Sequence, residues 1–236
     1  MSIILAIETS TELASAALLH GDQLTTRASL GVQTHSETIL PMVQELLAQA
    51  GISLSACDAI AFGVGPGSFT GVRTACGVVQ GLAFGAGLSV LPVVTLAAMA
   101  QACREISGAS DVLAILDARM GEVYWAQYRY DAGWKTIIEP QLSVPAAVLP
   151  EGAVQACGNG LSAYPKAFAA ASLLPGLPQV MPHAAQIARL GQEMLSQGLA
   201  VSLDMAQPLY LRNKVALTTE ERVVRDAAKH AAAGMA

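Results

Sequence analysis

Short apolar runs alternate with polar turns from the start of the chain. The first run, Ile3 to Ile7, has five apolar positions in succession. A continuous run of that length predicts a strand buried on both faces. It ends in the turn Glu8-Thr9-Ser10-Thr11, and a second strand, Leu13 to Leu19, leads through His20-Gly21-Asp22 into a third. The order then recurs. Val112 to Leu116 runs into Asp117-Ala118-Arg119-Met120-Gly121, followed by the strand Glu122 to Tyr128, the hairpin turn Asp131-Ala132-Gly133 and a strand from Trp134 to Ile138. The tripeptide Leu-Ala-Ile opens both copies, at 5–7 and at 113–115.

Helical periodicity follows the first three strands. Ile39, Met42, Val43, Leu46, Leu47 and Ala50 fall on one face. Thr34 and Glu37 stand at capping-box spacing, which starts this helix near His35; Pro41 would bend it or remove one backbone bond. Two βββα halves with a cleft between them predict an α/β, actin-like architecture, a duplicated ribonuclease-H-like fold of two lobes. The first lobe takes residues 1–105. A second, smaller lobe takes 109–205, and 206–236 form a C-terminal segment and tail. Gly152 to Gly160 and Pro175 to Pro182 read as loops, Ala184 to Gln197 as a helix, and Thr219 to Ala236 as a surface helix or frayed tail.

No charge occurs between Arg73 and Arg104, a length that would permit a membrane span. Gly85, Gly87 and Pro92 instead divide it into a buried helix, a strand at Val90 to Val94 and another helix. Hydrophobic residues make up 53% of the chain and charged residues 13%, against a usual charged share of roughly 25%. That shortage of charge leaves apolar surface for a partner to cover. The net charge of −5 argues against tight direct binding of nucleic acid, so any contact with RNA is indirect. Cys57, Cys76, Cys103 and Cys157 form no CxxC pair and suit buried free thiols in a reducing compartment, the cytoplasm. The N-terminal apolar run is too short for a signal peptide and lacks a basic flank.

The densest chemical signal is Gly63-Val-Gly-Pro-Gly-Ser-Phe-Thr-Gly-Val-Arg73. Gly65 and Gly67 allow close backbone approach, Ser68 or Thr70 can cap the helix that follows, and Arg73 adds a fixed cation. Such a loop serves as a cradle for phosphate or carboxylate, as a rigid elbow at an interface, or as a strand-to-helix turn that needs glycine for geometry alone. It matches neither GxGxxG nor a P-loop. Glu8 and Asp117 occupy corresponding turns, where an actin-like cleft holds a nucleotide's metal; the plainer role is to satisfy turn N–H groups. Gly158-Asn159-Gly160 is the candidate for a nucleoside pocket, or merely reverses the chain. His20, His35, His183 and His230 form neither HxxxH nor HExxH, so no metal site, catalytic residue or cofactor is assigned. Ser68 lacks the GxSxG elbow of a nucleophile. Gly77, Gly81 and Gly85 line one face of the helix after the loop. Each costs about 1 kcal/mol relative to alanine, which points to close approach of another backbone, from this chain or from a partner.

Several segments together carry a resemblance. They are Ala6-Ile7-Glu8-Thr9-Ser10, His35-Ser36-Glu37 with Leu40-Pro41, the stretch Gly65 to Arg73, the stretch Asp117 to Tyr124, and Pro208-Leu209-Tyr210-Leu211-Arg212. The chain resembles the TsaB family of bacterial tRNA threonylcarbamoyladenosine biosynthesis proteins, over essentially its whole length to Arg212. The resemblance implies a non-catalytic paralogue of TsaD, the enzyme that transfers threonylcarbamoyl to adenosine beside the tRNA anticodon. TsaD-like enzymes hold a metal through an HxxxH pair, and Leu96 and Ala100 stand at those places here; aliphatic side chains cannot ligate. The resemblance further implies a heterodimer with TsaD, joined by the ATPase TsaE, and a homodimer when TsaD is absent. The contact surface implied is His35, Ile39, Met42, Val43 and Leu46 on one helix with Arg73, Gly77, Gly81 and Gly85 on the next. The role would be to stabilise and activate TsaD. The alternative is an independent actin-like ATPase or kinase using Glu8, Asp117 and the glycine loop.

Overall fold

The computed structural model describes residues 2–30, 35–171, 173 and 175–212. Strand β1 (Ile3–Glu8) is the centre of a five-stranded sheet with order β3-β2-β1-β4-β5. β2 (Leu13–His20) and β3 (Gln23–Leu30) follow it as an antiparallel meander, with Glu8 opposite Ser15. β4 (Ala59–Gly63) and β5 (Ser89–Val93) add in parallel. Parallel neighbours require crossovers, and helices α1 (His35–Ala50) and α2 (Phe69–Ala86) supply them.

The second sheet repeats this pairing with order β8-β7-β6-β9. β6 (Asp111–Arg119), β7 (Glu122–Tyr130) and β8 (Trp134–Ser143) form its meander, and β9 (Gln155–Cys157) lies parallel to β6. The duplicated α/β architecture expected from the two strand triplets is therefore present. β9 falls within the stretch read as a loop, because three residues are too few to show a period. Between β8 and β9, Pro145 and Pro150 interrupt the chain, and the only helical turn is the 3-10 turn Pro145–Ala147. The short helices α4 (Gly160–Ala163) and α5 (Pro165–Ala170) cover one face of this sheet, burying Leu161 and Phe168 against Leu113, Ile115 and Trp125.

Two further helices cross between the halves. α3 (Thr95–Ser107) belongs by sequence to the first half, yet its Leu96, Met99, Ala100 and Cys103 pack with Ala114, Leu116 and Cys157 of the second. α6 (Ala184–Ser196) comes from the second half and packs Ile187, Ala188 and Leu190 against Ile4, Ala61 and Leu91 of the first sheet. The division near residues 105–109 thus separates the sheets while the cores cut across it. The uncharged stretch resolves into α2, β5 and α3 as expected, and no helix among the described residues is long and apolar enough to cross a membrane. All four cysteines are buried and free.

Helix α1 begins at His35 and continues through Pro41. Thr34, its expected cap, and the tail 219–236 lie outside the described residues.

Candidate functional site

A cleft of about 330 Å³ opens between the β1–β2 turn and the β6–β7 turn. Ser10 and Thr11 with Gly67 and Ser68 form its first wall, Asp117, Arg119 and Asn159 its second, and Tyr210 and Arg212 one side. Of the residues put forward as ligand-binding, Gly67, Ser68 and Asp117 reach this space; Glu8, Gly65 and Thr70 do not line it.

Glu8 lies fully buried beneath the glycine loop. The Ser10 amide donates to its Oε1, and the Thr95 hydroxyl lies 3.4 Å from Oε2. Burial pushes this carboxyl above the usual carboxylate range, against the opposing pull of those hydrogen bonds. A Cβ on Gly63 would overlap Oε2, so the glycine there makes room for the carboxylate. Glu8 serves its turn from below rather than facing a ligand.

The loop itself is glycine-rich because it lies directly on the β1–β2 turn. A Cβ on Gly71 would overlap the Thr9 carbonyl oxygen, and the Thr9 hydroxyl donates to Gly71 O at 2.7 Å. An anion cradle needs its N–H groups aimed at open space. Here Gly65 N donates to Thr95 Oγ1 (3.1 Å), Ser68 N to the Ser10 carbonyl (2.7 Å) and Gly71 N to Ser68 Oγ (3.3 Å). Ser68 is thus the helix cap, while the Thr70 carbonyl accepts from Thr74. Of the readings open for this loop, these bonds favour the strand-to-helix turn that needs glycine for its geometry.

Asp117 plays the matching part in the second lobe. Its Oδ1 accepts from the Arg119 amide (2.9 Å) and from Tyr164 Oη (3.1 Å), and its Oδ2 pairs with Arg119 Nη1 at 3.2 Å. Its own amide donates to Asn159 Oδ1 at 2.8 Å. Asn159 therefore makes no hairpin; it starts α4, pins the acidic turn and lines the cleft.

The proposed contact helices divide differently from the sequence expectation. His35, Ile39, Met42, Val43 and Leu46 are all buried, and α1 packs on β2 and β3. This corrects their placement on an exposed contact surface: they belong to the core, and α1 presents Leu40, Pro41 and Gln44 outward instead. On α2, Arg73, Gly77, Gly81 and Gly85 are exposed. A Cβ on any of the three glycines would meet nothing within 4 Å. The close neighbour that the stripe calls for is absent from the described residues of this chain. Phe84 stands beside the stripe, 81% exposed. Arg73 is held by the C-terminal segment: Nε donates to Tyr210 Oη at 2.6 Å, and the guanidinium lies 3.7 Å over the Phe69 ring.

The family model for TsaD, the tRNA N6-adenosine threonylcarbamoyltransferase, matches residues 28–235. A Haemophilus influenzae tRNA threonylcarbamoyladenosine biosynthesis protein, TsaB, is 42% identical over 224 residues, covering 90% of this chain and 94% of that protein. The chain belongs to the TsaB proteins of the TsaD family. The TsaB of Escherichia coli is 39% identical over 90% of the chain and 96% of its own length. The solved structure of YeaZ from Pseudomonas aeruginosa superposes with a TM-score of 0.80 at 40% identity, covering 89% of this chain and all of that one. In this TsaB protein, Leu96 and Ala100, the places that the resemblance assigns to metal-binding histidines, are fully buried in the second core.

Proposed function

We propose that this chain is a non-catalytic subunit required for threonylcarbamoyl transfer to adenosine beside the anticodon of tRNA. It stabilises and activates TsaD, with the ATPase TsaE joining the complex. The observation that carries this reading is the bare glycine stripe of α2, flanked by Phe84. Aligned glycines let a second helix approach closely, and an exposed aromatic beside them supplies apolar area to bury. TsaD is the proposed occupant, because curated relatives are named for threonylcarbamoyladenosine biosynthesis. When TsaD is absent the same stripe pairs two copies of this chain. The amides of Gly65, Ser68 and Gly71, each bonded within the chain, and the turn-bound carboxylates of Glu8 and Asp117 support a role without chemistry in the cleft. With a net charge of −5 the chain leaves tRNA to its partners. We place it in the cytoplasm, where free thiols persist.

Sedimentation of the purified chain with and without TsaD tests the docking. The expected result is a homodimer alone that converts to a heterodimer with TsaD. A chain whose sedimentation TsaD leaves unchanged would refute it. ATP turnover by the chain alone, lost on Glu8→Ala and Asp117→Ala, would establish the kinase-like alternative instead.

A further inference from the structure

From Val201 to Arg212 the chain runs back over the first lobe and then across the cleft. Val201 pairs with Val90 on the edge of β5. The Ala206 carbonyl accepts from Cys76 Sγ and Gln80 Nε2 of α2, at 2.7 and 2.8 Å. Leu209 N donates to the Val64 carbonyl at 2.8 Å, ahead of the glycine loop. Tyr210 then stacks beside Phe69, with ring centroids 5.7 Å apart, and accepts from Arg73. Two residues later Arg212 reaches the other lobe, where Nη2 meets Glu122 Oε2 at 2.6 Å and approaches the Arg119 carbonyl at 3.5 Å.

The far end of this run lands on an unusual turn. Arg119 and Met120 have φ of 61° and 58°, a left-handed conformation that non-glycine residues hold only with support from their surroundings. Arg212 supplies part of that support from the C-terminal run, and Glu12 adds a 2.6 Å ion pair to Arg119 from the first lobe. The Arg212 and Glu122 side chains are 18% and 33% exposed, so this pair is screened less than a fully exposed one. The near end starts from Arg73 and Phe69, on the first turns of α2 and one turn before Gly77.

We propose that residues 201–212 form a latch that couples the exposed face of α2 to the β6–β7 turn. Arg73 and Phe69 hold Tyr210; Tyr210 sets the path of Leu211 and Arg212; Arg212 holds Glu122 and the left-handed turn that walls the cleft. A chain seated along α2 that draws Arg73 away from Tyr210 loosens the turn on the opposite lobe. This coupling goes beyond the docking reading and is tested on the full chain alone, so the failure of either leaves the other standing.

Hydrogen exchange at the amides of residues 117–123 tests it, in wild type, Arg212→Gln, Arg73→Gln and the double variant, with all four in the same association state. Arg212→Gln is expected to speed exchange there by about fivefold, the equivalent of one partly buried ion pair. Arg73→Gln is expected to do the same, although Arg73 makes no hydrogen bond or ion pair with those residues. The double variant then exceeds neither single, because both act along one path. Tyr210→Phe, which keeps the ring and removes the acceptor, gives the same readout should an arginine variant fail to fold. Wild-type exchange at 117–123 in Arg73→Gln and Tyr210→Phe, or additive effects in the double variant, would overturn the coupling.

Discussion

Leucine in place of Gly81 is expected to leave the monomer folded while removing its partner. Gly81 is exposed in the middle of α2, and nothing lies within 4 Å of where its Cβ would stand. The fold therefore loses no contact and gains helix propensity, about 0.8 kcal/mol. A helix seated on the stripe experiences the opposite sign. Glycines spaced four apart let two backbones come nearer than the usual separation of about 8–10 Å between helix axes. A leucine must then be overpacked or hold the helices apart, at a cost of about 2–3 kcal/mol. At about 1.4 kcal/mol per tenfold change, binding weakens roughly 30- to 140-fold. Calorimetric titration against TsaD measures this, and denaturant unfolding of the variant alone checks the monomer. Unchanged affinity would remove the stripe from the interface. A destabilised monomer would show that part of this chain already occupies it.

Two further substitutions probe the site from inside. Gly71→Ala places a methyl group on the Thr9 carbonyl, an overpacking only partly offset by helix propensity; a net loss of about 1–2 kcal/mol is expected, lowering the thermal midpoint by about 2–8 °C, and a raised midpoint would contradict the close approach. Glu8→Gln tests the buried carboxyl. Because burial raises its pKa above the ordinary 4.5, the folded chain keeps a proton that the unfolded chain releases. Its stabilising contribution is present below the unfolded value and is lost as pH rises through the folded one. The stability of wild type relative to Glu8→Gln should therefore fall from about pH 4.5 towards neutrality, and a difference independent of pH would contradict the burial argument.

The strand triplets were legible because a buried strand, a polar turn and a hairpin each leave a local mark, and they leave it twice. The exchange of α3 and α6 between the lobes leaves none: an apolar stripe says that a helix is covered, not by which sheet. The same ambiguity misplaced Ile39, Met42, Val43 and Leu46, whose spacing is identical whether the cover is β2 and β3 or another protein. On α2 the glycines carried more information, since no described residue comes near enough to explain their cost. The loop from Gly63 to Gly71 was plainly special, but whether its amides face a ligand or the Ser10 carbonyl depends on a contact 58 residues away. The ties of Glu12 to Arg119 and of Arg212 to Glu122 join residues about a hundred positions apart with no period to betray them.

Threonylcarbamoyl transfer to tRNA tests the subunit role most directly, with this chain, TsaD and TsaE each omitted in turn. The expected result is no transfer without TsaD, none from this chain alone, and a sharp loss when this chain is the one left out. Full transfer in its absence would contradict that role and send the search back to the cleft for a ligand of its own.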